Sequence, residues 1–80
     1  MHDEVLKALA ELHDGEKKVQ WVSCVALLRR LQRLDPGLDL DGLVPYVREL
    51  WKRGRLTCRT PERVTDPNRL GSEFHCRLVR

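Results

Sequence analysis

Eighty residues are enough for one hydrophobic core and too few for two, and 41% hydrophobic with 34% charged residues lies outside the disordered, collagenous and membrane-embedded ranges. Fifteen Lys and Arg against 12 Asp and Glu leave a net charge of +3, too mild to name a partner by itself. A chain of this size buries only about 60% of its unfolded surface, which leaves little interior for a water-excluding catalytic cavity and favours a binding module over an enzyme.

The first predicted element runs from about His2 to His13. Val5, Leu6, Leu9 and Leu12 recur at helical spacing, Asp3 and Glu4 sit where a helix N-terminus favours negative charge, and Gly15 ends the run. Lys17 to Val22 then alternates, with Val19 and Trp21 on one side and Lys18 and Gln20 on the other, which predicts a short strand. Ser23 is a natural N-cap for a second helix, and Val22 and Leu27 occupy the positions of a hydrophobic staple around it. Cys24, Leu27, Leu28, Leu31 and Leu34 form the apolar stripe of that helix, and Asp35-Pro36-Gly37 stops it.

A third helix is predicted between Asp39 and Arg53, mainly over about 41–53, with Leu43, Val47 and Leu50 inward and Gly54 closing it. Pro45 predicts a late start or an early kink, because proline is at ease only in a first turn. After Gly54 the period changes to two. Leu56 and Cys58 alternate with Thr57 and Arg59, and Phe74, Cys76 and Leu78 alternate with His75, Arg77 and Val79. Between them Thr60 to Glu73 contains Pro61, Asp66-Pro67-Asn68 and Gly71-Ser72, so the pair reads as a hairpin with a long, turn-rich tip.

Charge is uneven along the chain. Residues 1–46 hold six Lys and Arg against eight acids, net −2, and residues 47–80 hold nine against four, net +5. All nine but Lys52 are Arg, the side chain best suited to bidentate contact with phosphate and to stacking. The order helix, short strand, helix, helix, strand, long loop, strand resembles the winged helix-turn-helix superfamily over nearly the whole chain, 1–80, as a single α+β domain. The most specific part is Leu43 to Cys58, where Val-Arg-Glu-Leu-Trp-Lys-Arg-Gly-Arg-Leu-Thr-Cys is similar to the end of the third helix turning through glycine into the first wing strand. The connection Asp35 to Asp41 is longer than the three-residue turn of a compact helix-turn-helix.

This resemblance implies duplex DNA binding of a regulatory kind, with the third helix in the major groove and the C-terminal hairpin wing, 55–69, on the backbone or in the minor groove. On that expectation Tyr46, Arg48, Glu49 and Lys52 lie outside the buried stripe and face bases or phosphates. Arg53, Arg55, Arg59, Arg63 and Arg69 add contacts from the helix end and the wing. Asp39, Asp41 and Glu49 work against it, since carboxylates near phosphates are repelled. The alternative is a winged helix that docks on a protein partner in a larger complex, through large side chains such as Tyr46, Trp51 and Val79, unless Trp51 closes the core beside Trp21.

No set of residues at catalytic spacing is present, so no enzyme, cofactor or small-molecule substrate is expected. Cys58, His75 and Cys76 approach one another if the hairpin closes, yet His75 points away from Cys76, and buried free thiols are expected in place of a metal site. A Cys58–Cys76 disulfide under oxidation stays open. Asp39 and Asp41 read as a helix cap, and His2 and His13 as surface residues. The apolar run Val25-Ala26-Leu27-Leu28 is far short of the roughly 20 residues that cross a bilayer. An odd cysteine count without a C-x-x-C pair and an acidic first turn without a leader pattern fit the cytoplasm.

Overall fold

The second and third helices start where a side chain of the chain itself caps the backbone. In the computed structural model, which describes residues 1–15 and 18–79, helix α1 spans His2–His13 as the periodicity predicts, burying Val5, Ala8 and Leu9. Strand β1 is only Val22–Ser23, and Ser23 caps helix α2 (Cys24–Leu31) by accepting a hydrogen bond from Ala26 N–H at 3.1 Å. Helix α3 (Leu40–Lys52) is capped by Asp39, whose Oδ1 accepts from Gly42 N–H at 2.7 Å. Its far end closes on Gly54 at φ 72°, where Gly54 N–H bonds Trp51 C=O and Arg55 N–H bonds Leu50 C=O, both at 3.0 Å.

Strands β2 (Leu56–Arg59) and β3 (His75–Leu78) form an antiparallel hairpin, and β1 pairs with the other edge of β3 to give the order β1-β3-β2. Cys76 lies opposite both Val22 and Cys58, so the alternation puts these three on the helix side. One core joins all layers: Val5 and Leu9, Leu27 and Leu31, Leu43, Val47 and Leu50, Leu56, Phe74 and Cys76. The result is a small α+β domain of three helices and one three-stranded antiparallel sheet, and no helix among the described residues is long and apolar enough to cross a membrane.

Five expectations need correction. Helix α2 ends at Leu31, and Leu34 is 68% exposed, because the core position beyond the helix is filled by Leu38, whose carbonyl accepts from Gln32 Nε2 at 2.9 Å. Helix α3 does not start late: it runs from Leu40 to Lys52 with Pro45, which has no N–H to donate, in its interior. The strand expected from Lys17 has its first residue outside the described ones, and the paired part has the opposite phase: Val22 points inward and Trp21 outward. Trp21 therefore does not close the core, although Trp51 does pack against it. His13 is not simply a solvated surface residue. It is half-buried, donating from Nδ1 to Val19 C=O at 2.7 Å and accepting at Nε2 from Leu78 N–H at 3.2 Å, which ties the end of α1 to the approach to β1 and to β3.

Candidate nucleic-acid interface

The third-helix residues expected outside the stripe fall on different flanks, because consecutive helical positions turn by about 100°. Tyr46 lies toward α1, where its ring meets His2 edge-on with centroids 5.3 Å apart. Arg48 lies toward the loop between β2 and β3, where Nη2 donates to Leu70 C=O at 3.3 Å and Nε is buried with no hydrogen-bond partner among the described residues. The loop is not a free tip. A short 3-10 turn, Pro67–Arg69, packs back on α3 and buries Leu70, so Arg48 is held by the hairpin loop and is not turned to solvent. What α3 leaves outward is the strip Asp41, Pro45, Glu49 and Lys52, two acids, a proline and one lysine.

The outer face of the sheet is different in kind. Burial alternates along both strands, with Leu56, Cys58 and Cys76 inward and Arg59, His75 and Arg77 exposed. Neither β2 nor β3 contains an acid. Register places Arg77 opposite Thr57 and His75 opposite Arg59. Trp21, next to Val22 at the edge of the same face, receives both arginines: the Arg59 guanidinium lies 4.6 Å and the Arg77 guanidinium 4.8 Å from its ring centre. A stacked guanidinium at an exposed site gains about 0.5 to 1 kcal/mol from the ring quadrupole and keeps its N–H edges free for another acceptor. His13 fixes Trp21's segment from below through Val19 and Leu78.

The remaining expected cations lie at the two ends of the hairpin. Arg55 precedes β2, and its carbonyl accepts from Val79 N–H at 3.1 Å; Lys52 and Arg53 close α3 just before it. Arg63, at φ 57°, and Arg69 are exposed in the loop at the other end of the hairpin. Arg53 is partly neutralised by Glu49, Nε to Oε1 3.1 Å. Among the described residues Lys52, Arg55, Arg59, Arg63, Arg69 and Arg77 have no carboxylate within 4.0 Å. From Arg55 to Arg59 the strand advances only about 13 Å, so neighbouring charges lie near one Debye length and their potentials add. The groove between α1 and α2 has both signs: Glu4, Lys7, Glu11, Arg30 and Arg33 interleave there, and Arg30 Nη1 reaches Glu11 Oε1 at 3.9 Å. Arg80, counted with the C-terminal cations, lies outside the described residues.

Of the expected site residues, Arg55, Arg59, Arg63, Arg69, Lys52 and Arg53 thus belong to the hairpin or its base, and Tyr46 and Arg48 do not join them. Arg77 and Trp21 were missed. The alternation around Cys76 already placed Arg77 outward, whereas Trp21 needed the phase of β1, which two paired residues set.

Cys24, Cys58 and Cys76 are buried free thiols. Burial pushes the Cys58 thiol up to about 12, and burial together with the neighbouring Cys58 and Cys24 sulfurs pushes Cys76 up as well. Both stay protonated at neutral pH and are poor nucleophiles. Among the described residues no three His, Cys, Asp or Glu side chains gather as metal ligands. No protein-family model, curated protein or solved structure matches the chain.

Proposed function

We propose that this chain is a winged-helix module that binds duplex DNA, gripping the phosphate backbone with its wing and the base of its hairpin. The order of elements, the β1-β3-β2 sheet and the glycine turn from α3 into β2 support the winged-helix reading. The observation that carries the DNA reading is the set of unneutralised cations at Lys52, Arg55, Arg59, Arg63 and Arg69 on one hairpin and its base. Arginines free of internal carboxylates lose nothing internal when they meet phosphate, and each contact releases condensed counterions.

The test is a fluorescence-anisotropy titration of a mixed-sequence duplex with the native chain and with Arg59→Ala/Arg63→Ala. Binding that weakens on every sequence in the double variant supports backbone contact by the wing. Equal affinity removes the wing from the interface.

One observation favours a second reading, docking on a protein partner in a larger complex. The outward strip of α3 has Asp41, Pro45 and Glu49, which suit a partner surface better than phosphates. Absence of duplex binding at low salt selects this reading.

A further inference from the structure

The DNA reading leaves open which side of the hairpin the duplex occupies. The superfamily resemblance directs it to α3, yet the outward strip of that helix has two acids, and Arg48 is occupied by Leu70 C=O. The opposite side of the hairpin has the reverse chemistry. Arg59 and Arg77 stand on adjacent strands, both guanidiniums are stacked within 4.8 Å of the Trp21 ring centre, and no acid lies in either strand. Thr57 and His75 add hydrogen-bonding side chains between them. Like charges gathered on one ring repel each other in water, and an incoming phosphodiester relieves that repulsion.

Resting on the DNA reading, we infer that the duplex backbone crosses the outer face of the sheet, held by Arg77 and Arg59 on their Trp21 platform, and does not enter along α3. Arg77 is a phosphate ligand, Trp21 a positioning residue that fixes both forks, and His13 anchors the segment from which Trp21 projects. Charge complementarity selects the occupant: the face has two arginines over the Trp21 ring and no acid in either strand, which suits a backbone better than an apolar protein surface.

The experiment uses the full chain with Trp51→Phe, which leaves Trp21 as the sole tryptophan, titrated with a mixed-sequence duplex while anisotropy and Trp21 emission are read together. Trp21 emission changes with the same midpoint as the anisotropy. In the native background Arg77→Ala weakens binding roughly tenfold at moderate salt and reduces the slope of log K against log salt by about 1, whereas Arg77→Lys keeps the slope and recovers part of the affinity. Far-ultraviolet dichroism confirms that each variant folds. Tight binding of the native chain with silent Trp21 emission and an unaffected Arg77→Ala variant overturns the sheet-face assignment and leaves the DNA reading standing. Failure of the native chain to bind any duplex at low salt overturns both.

Discussion

The outward strip of α3 and the outer face of the sheet back onto the same core, one through Leu43, Val47 and Leu50 and the other through Cys58 and Cys76. Their solvent sides differ. On α3 the outward positions serve the helix itself and its neighbours: Asp39 caps it, Glu49 pairs with Arg53 at 3.1 Å, and Arg48 is drawn into the loop. On the sheet, Arg59 and Arg77 lie over an aromatic ring and, among the described residues, have no carboxylate within 4.0 Å. A cation's availability is thus set by what its own element needs from it. A count of arginines along the sequence does not reveal that.

Breaking the support of one side is the largest way to test the contrast. Phe74, 1% exposed, packs in the core just ahead of β3, and Phe74→Ala should cost about 3 to 5 kcal/mol in urea unfolding. A loss below about 1 kcal/mol would mean that the sheet does not depend on that core. Next in size is His13→Ala, which leaves Leu78 N–H and Val19 C=O without their ring partner; it should cost about 1 to 3 kcal/mol and alter Trp21 emission. Stability loss with unchanged Trp21 emission would separate His13 from the platform.

Helix α3 is sharpened by Pro45→Ala. Removing an exposed interior proline gains about 3 kcal/mol of helix propensity and gives back up to about 1 through the freer unfolded chain, for a net gain of about 2. The same variant should leave duplex affinity unchanged, and a tenfold change either way would return α3 to the interface. The smallest effect is nil at neutral pH. The thiols of Cys58 and Cys76 have folded pKa values raised above the unfolded value of 9.0, so the unfolded chain releases these protons first. Stability is full below pH 9 and falls as pH rises toward about 12, and Cys58→Ala should flatten that fall. An equal alkaline slope in the variant would rule out Cys58 as its source.

Much of the fold was legible because the signals were local. Ser23, Asp39 and Gly54 mark their helix boundaries by chemistry that needs no distant partner. The alternation of Leu56 and Cys58 against Cys76 gave the sheet's inward face. Leu34 misled because its place depends on Leu38, four residues later, entering the core. The phase of β1 depended on the pairing of Val22 with Cys76, 54 positions along the chain, and with it went Trp21. The site was half legible. The arginines of the hairpin follow from parity, whereas Tyr46 and Arg48 were grouped by exclusion from one stripe, a rule that merges two opposite flanks of a helix. No local pattern announces that Leu70 folds back to take Arg48.

The central claim is that unneutralised cations on the hairpin and its base bind a DNA backbone. Its most direct test is the slope of log K against log salt for a mixed-sequence duplex between roughly 50 and 200 mM. Three to five phosphate contacts predict a slope of about −3 to −5 and an affinity loss of roughly two to three orders of magnitude across that range. A slope near zero, or no binding at the lowest salt, would contradict it.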